Sequence, residues 1–261
     1  SRDRPTFTDA DKAKARAWFE RAKTVFEARN YDYAIECYIG GLNIWPEAVE
    51  EGHKPLRAVG LARRAAGGKK PTMRETMKHT TSTRDPKRNM LNAEYLLAKD
   101  PGNLTYLEAL VKNAAKGGFD QTVMWAGPLY WEALRQEKKP NISRLVKLRD
   151  IYEEVAERAD RHGEDGQAIE ALQRAVQVAE FLKRLKPNDM AISKACQDLS
   201  SKLTIVKGRY ASAESFRESV RDVEVQRQLH DTERLVQSDA RLDQLIARAR
   251  EAWEADPTDV K

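Results

Sequence analysis

The residues able to carry chemistry in this chain are few and scattered. Four histidines, His53, His79, His162 and His230, are candidates for acid–base work or metal ligation. No two stand at i, i+4 and none lies in an HExxH context, so no helix turn gathers them. Each is expected as a solvated surface side chain. Cys37 and Cys196 make neither a CxxC pair nor a disulfide framework, and Cys37 reads as a buried structural thiol. GxGxxG, GxxxxGKT and GxSxG are all absent, so neither a phosphate-cradling loop nor a nucleophile elbow is indicated. Carboxylate pairs such as Glu153-Glu154 sit among other charges, where a solvated helix face is the default. The expectation is a non-enzymatic protein with no catalytic residue, no cofactor and no metal.

Composition points the same way. Hydrophobic residues make up 41% and charged residues 33% of 261 positions, and no run approaches the roughly 18 apolar residues a spanning helix needs, so membrane insertion is not expected. Thirteen Gly and ten Pro argue against a turn-rich all-β fold. Abundant Ala, Leu and charge suit long exposed helices. Two unpaired cysteines favour a reducing compartment, and a cytoplasmic location is the expectation. The missing initiator Met suggests a fragment.

Internal periodicity organises these helices. The stretch Trp18 to Pro46 reads as one helix–turn–helix in which Ala22 and Ala34 let two helices approach closely. Trp18, Val25 and Tyr38 fill the adjoining space, and Pro46 stops the second helix. A second such unit runs from Tyr152 through Val155, Ala156, Ala159, Ala168, Leu172 and Ala175, with Gly163 at its turn and a long second helix reaching Leu185. A weaker one uses Leu107, Leu110, Val111 and Ala114, turning at Gly117–Asp120. A further hairpin is expected over 192–220 with its turn at Lys207–Tyr210. The stretches ending at Asp100-Pro101 and Asp256-Pro257 look like second helices of repeats.

These residues and their spacing resemble the tetratricopeptide repeat, a helical hairpin of about 34 residues. Arg21 departs from the pattern, standing where the family usually has a large apolar residue. The resemblance implies an all-α fold, an α-α superhelix or TPR-like α-solenoid. The expected organisation is an N-terminal hairpin and following helix in 1–66, a basic inserted loop in 67–85, helical repeats in 86–210, and a long helical segment in 211–261 that continues into further repeats.

In this family the first helices of successive repeats line a groove that holds a peptide. Carried over, the partner-binding positions are Arg16, Phe19, Lys23 and Phe26 in the first unit and Asp150, Glu153 and Glu157 in the later one. That would make the groove basic and aromatic at one end and acidic at the other. The family's chaperone-tail clamp needs Lys and Asn where this chain has Phe19 and Lys23, so that ligand is not supported. The leading expectation is a protein–protein interaction scaffold for a peptide or partner surface. Two alternatives stay open. Between Lys69 and Asn89 stand seven basic residues against two acidic ones, an excess equal to the chain's whole net charge of +5, which suits nucleic acid or another anionic polymer. That stretch has no Phe, Tyr or Trp for base stacking. The other alternative is a self-associating solenoid, a homo-oligomer joined through 211–253.

Overall fold

A computed structural model describes residues 4–213, which fall in two units, Ser1–Val206 and Lys207–Lys261. The first unit is all-α. Its helices are α1 (Asp9–Glu27), α2 (Tyr31–Ile44), α3 (Lys54–Ala65), α4 (Met73–Lys78), α5 (Pro86–Lys99), α6 (Leu104–Gly117), α7 (Asp120–Arg135), α8 (Ile142–Arg161) and α9 (Asp165–Leu185). A last stretch, α10, covers residues 190–206. Consecutive helices pack on one another in a superhelical arrangement, and no strand occurs among the described residues. Within the second unit, residues 207–213 are helical, so Lys207–Tyr210 is not the turn expected there. The remainder of the expected 211–261 segment, and the self-association read from 211–253, lie outside the described residues from 214 on.

Local chemistry sets the helix ends. Thr8, Asn30, Asp85, Asn103 and Asn141 each cap a helix by accepting a hydrogen bond from a first-turn N–H, supplying partners that a helix start otherwise lacks. Helix α6 stops at Gly118, whose φ of 75° is the left-handed conformation that favours glycine. Gly163 ends α8 in the same way, at φ 70°. These are the turns expected at Gly117–Asp120 and at Gly163, and α9 runs to Leu185 as expected.

The region 47–66, read as one helix, is instead two pieces. A π-helical turn, Val49–His53, precedes α3, and this wider turn swings His53 into the core, where it is fully buried. Gly52 permits the approach, because a Cβ there would stand 2.6 Å from a Leu42 methyl carbon. The inserted segment 67–85 is not a free loop. It contains α4, whose Thr72–Glu75 capping box is extended by Lys99 Nζ donating to Glu75 Oε1 at 2.5 Å. His79 stacks on Tyr95 with ring centres 3.9 Å apart, Lys70 pairs with Asp100 at 3.3 Å, and Thr83 donates to Asn89 at 2.6 Å. These contacts fasten the segment to α5.

Helix α7 carries Pro128 in its interior, so the Met124 carbonyl four residues back has no intrahelical donor. Arg174 of α9 donates to that carbonyl, while also pairing with Glu170 at 2.6 Å. A local defect thereby becomes a contact between hairpins.

Helices α3 and α5 meet at Gly60, where a Cβ would lie 2.5 Å from the Ala98 carbonyl oxygen. Backbone cannot yield as a side-chain tip can. Gly60→Ala is expected to destabilise the protein by about 1–3 kcal/mol through overpacking, read as a lower thermal midpoint. An unchanged midpoint would show that the two helices separate freely.

Candidate functional site

The first-unit residues chosen from sequence do not form one surface. Phe19 is 1% exposed and stacks on Tyr38 with ring centres 6.0 Å apart, so it belongs to the core and cannot meet a partner. The expectation for Phe19 is corrected on that ground. Trp18, read as a filler, is the exposed aromatic of the pair, lying against Gly40. Arg16 is held by both carboxylate oxygens of Glu51, at 2.8 and 3.0 Å, and lies over the Trp45 ring. Lys23 pairs with Glu20 at 2.6 Å, and Phe26 is half-buried against Tyr31.

The later acidic residues, at i, i+3 and i+7, share one face of α8. Glu153 and Glu157 accept from Lys202 of α10, at 2.5 and 3.4 Å, and Glu157 stays exposed. Asp150 lines a cleft towards α6 and pairs with Arg149 at 2.6 Å.

Two clefts remain. The larger, about 630 Å³, is lined by Trp45, Glu47, Glu50, Glu51, Trp125 and Arg174 among others. Its charges are already satisfied: Arg16 holds Glu51, Lys54 pairs with Glu50 and Arg174 with Glu170, and Glu47 accepts the Gln121 N–H at 3.0 Å. The smaller, about 270 Å³, lies between α6 and α8, the first helices of two successive hairpins. Ala115, Leu148 and Ile151 form its apolar wall, and Lys112, Lys116 and Lys147 are exposed at it. None of these lysines has a carboxylate within ion-pair distance among the described residues. The cleft's acids are taken, Glu108 by Arg144 at 2.9 Å, Asp150 by Arg149 and Glu154 by Arg158 at 3.7 Å. Tyr130 of α7 also lines it, 2% exposed, with its hydroxyl lacking a hydrogen-bond partner among the described residues.

Sequence reading passed over Lys112 and Lys116. Counted from Leu104, the register that selects Phe19 and Lys23 of the first unit selects Glu108 and Lys112 here, and Lys116 follows one turn later. The weaker apolar pattern of this hairpin hid them. Tyr130 lies in a second helix and Lys147 before the counted repeat, so no repeat position marks either.

Of the four histidines, His162 is exposed as expected, His53 and in part His79 depart from the expectation of solvated side chains, and His230 lies outside the described residues. His53 Nδ1 lies 2.6 Å from Glu94 Oε1, its Nε2 is 2.7 Å from the Pro46 carbonyl and 3.1 Å from the Thr122 hydroxyl, and its ring stacks on Trp125. Burial alone disfavours the imidazolium, but the Glu94 carboxylate and Pro46 carbonyl overcome it and raise the histidine pKa. Burial likewise pushes the nearby Glu47 carboxyl up to about 7, opposed by the Gln121 N–H and reinforced by Asp120. Among the described residues, no group of three or more His, Cys, Asp and Glu is placed to hold a metal, and no helix is long and apolar enough to cross a membrane. No family model, curated protein or solved structure matches this chain.

Both raised groups act in the same sense on stability. Each favours its protonated form in the folded state, so its contribution is present below the unfolded pKa and lost as pH rises through the folded one. For Glu47 that window runs from 4.5 to about 7. Thermal stability is expected to fall between about pH 5 and pH 8, and Glu47→Gln, which keeps the acceptor for Gln121, to flatten that fall by at most about 3 kcal/mol. An identical pH slope in the variant would show that Glu47 titrates normally.

Proposed function

We propose that this protein is a tetratricopeptide-like helical-repeat scaffold, without enzymatic activity, that binds a peptide segment of a partner protein across α6 and α8. The α6–α8 cleft carries the reading. It joins an apolar wall, Leu148 and Ile151, to polar groups without a partner among the described residues. Its volume of about 270 Å³ suits one or two side chains and falls at the low end for a small-molecule or cofactor site. The same pair of helices, being first helices of consecutive hairpins, occupies the place where the resembled family holds peptides. The α1 surface supports the reading less well, because Arg16 and Lys23 are engaged by the protein's own carboxylates.

A second reading rests on Arg74, Lys78, Arg84 and Arg88, which are exposed and form no ion pair among the described residues. It assigns the 67–89 segment to an anionic polymer, with steep salt dependence as its signature.

Selection of random dodecapeptides displayed on phage against the full chain tests the first reading. Binders are expected whose affinity drops about tenfold or more in Ile151→Glu, which puts a charge in the half-buried cleft wall. An empty selection, or binders indifferent to Ile151→Glu, would contradict it.

A further inference from the structure

From the unsatisfied groups of the α6–α8 cleft, we infer that the peptide it takes is acidic, carrying carboxylate side chains next to an apolar one. This rests on the peptide-binding reading above. The argument is one of charge balance. Lys112 and Lys116 stand one turn apart on α6, at i and i+4, and so share a face. Lys147 approaches the same space from α8. Two like charges one turn apart repel, and among the described residues neither has a carboxylate within ion-pair distance, since Glu108, one turn before Lys112, is held by Arg144 at 2.9 Å. The three acids around the cleft pair with Arg144, Arg149 and Arg158, two of which also serve Glu137 and Asp120, so the three lysines are the cleft's charges without an ion-pair partner among the described residues. A carboxylate-bearing ligand relieves that repulsion, and a cationic or neutral one does not.

Tyr130 adds a second, independent observation. A buried hydroxyl with no partner is a cost to folding, of about 1–3 kcal/mol, unless something outside the protein accepts its hydrogen. Tyr130 lines the cleft where Arg144, Glu108 and Glu137 are its charged neighbours, so a ligand acceptor there gains a neutral donor. Leu148 and Ile151 give an adjacent apolar side chain its contact, which distinguishes a peptide from a free inorganic anion. The larger Trp45–Trp125 cleft makes the contrast, since every carboxylate lining it has a donor.

The test titrates the full chain with a fluorescein-labelled peptide of Glu-Glu-Leu-Gly repeats and with its Gln-Gln-Leu-Gly counterpart, followed by anisotropy. The Glu peptide is expected to bind saturably and the Gln peptide about tenfold more weakly. Lys112→Gln/Lys116→Gln/Lys147→Gln, all exposed positions, is expected to weaken the Glu peptide about tenfold while leaving the fold intact. Tyr130→Phe is expected to weaken it a few fold while raising the thermal midpoint, a combination that a merely structural tyrosine would not produce. Equal binding of the two peptides, no binding of the Glu peptide, or equal binding to the lysine variant overturns the acidic class. So does displacement of the Glu peptide by sodium phosphate or a thymidine oligonucleotide at equal charge, which would make the cleft a general anion site. If the displayed library still yields binders lost in Ile151→Glu, peptide binding stands without the acidic preference. If it yields none, both readings fall.

Discussion

Three consecutive residues at the start of α7 bind the array together. Asp120 is 1% exposed and accepts from Arg158 of α8, at 2.6 and 3.0 Å, and from Arg4 of the N-terminal segment at 2.6 Å. Arg4 continues to Glu164 and Gln167 at the start of α9. The Gln121 N–H reaches Glu47, and the Thr122 hydroxyl donates to the Pro46 carbonyl at 2.8 Å beside His53. One helix terminus therefore holds the α1–α2 hairpin, the N-terminal segment and the α8–α9 hairpin. A buried carboxylate is tolerable only with partners of this quality, and Asp120 has two arginines to supply them. At a helix N-terminus the dipole favours the Asp120 carboxylate as well.

That constraint explains how the cleft keeps its geometry. Apolar stripes alone allow neighbouring helices to slide, since leucines and alanines exchange partners at little cost. The seam at 120–122 sets where α7 begins, and Arg174 holds it again at the carbonyl freed by Pro128. Tyr130 lies two residues beyond that proline, so its place beside α6 and α8 follows from both anchors. Gly127 admits Tyr152 of α8 to within 2.4 Å of where a Cβ would stand, which keeps α7 and α8 close. Satisfied polar groups thus position the unsatisfied ones, and the contrast between the two sets singles out the cleft.

How much of this was legible in the sequence depended on the range of the interaction. Short-range signals were readable: Pro46, Gly118, Gly163 and Pro187 mark helix ends because their backbone chemistry acts on adjacent residues. Apolar spacing predicted the hairpins at Trp18–Pro46 and Tyr152–Leu185 for the same reason. What escaped was set by contacts across the array. His53 looked like a surface residue because its partners, Glu94 and Thr122, lie 41 and 69 positions away. Phe19 and Trp18 are neighbours in a helix, and which one turns inward was decided by Gly41 and Tyr38 across the hairpin. The inserted segment has no apolar period, yet Glu75, His79 and Thr83 dock it through polar and stacking contacts that periodicity does not register. Lys112 and Lys116 were readable in principle, from the register of their own hairpin, but that they lack acidic partners is visible only in three dimensions.

The central claim is that a peptide sits between α6 and α8. The most direct test is an NMR titration of the isotope-labelled full chain with the tightest peptide recovered from the displayed library. The account predicts that the largest shift changes fall on residues 108–116 and 147–154, with the Ile151 methyl groups among the strongest. Changes centred on the 45–54 turn and residues 170–174, or on α1, would place the partner elsewhere and contradict it.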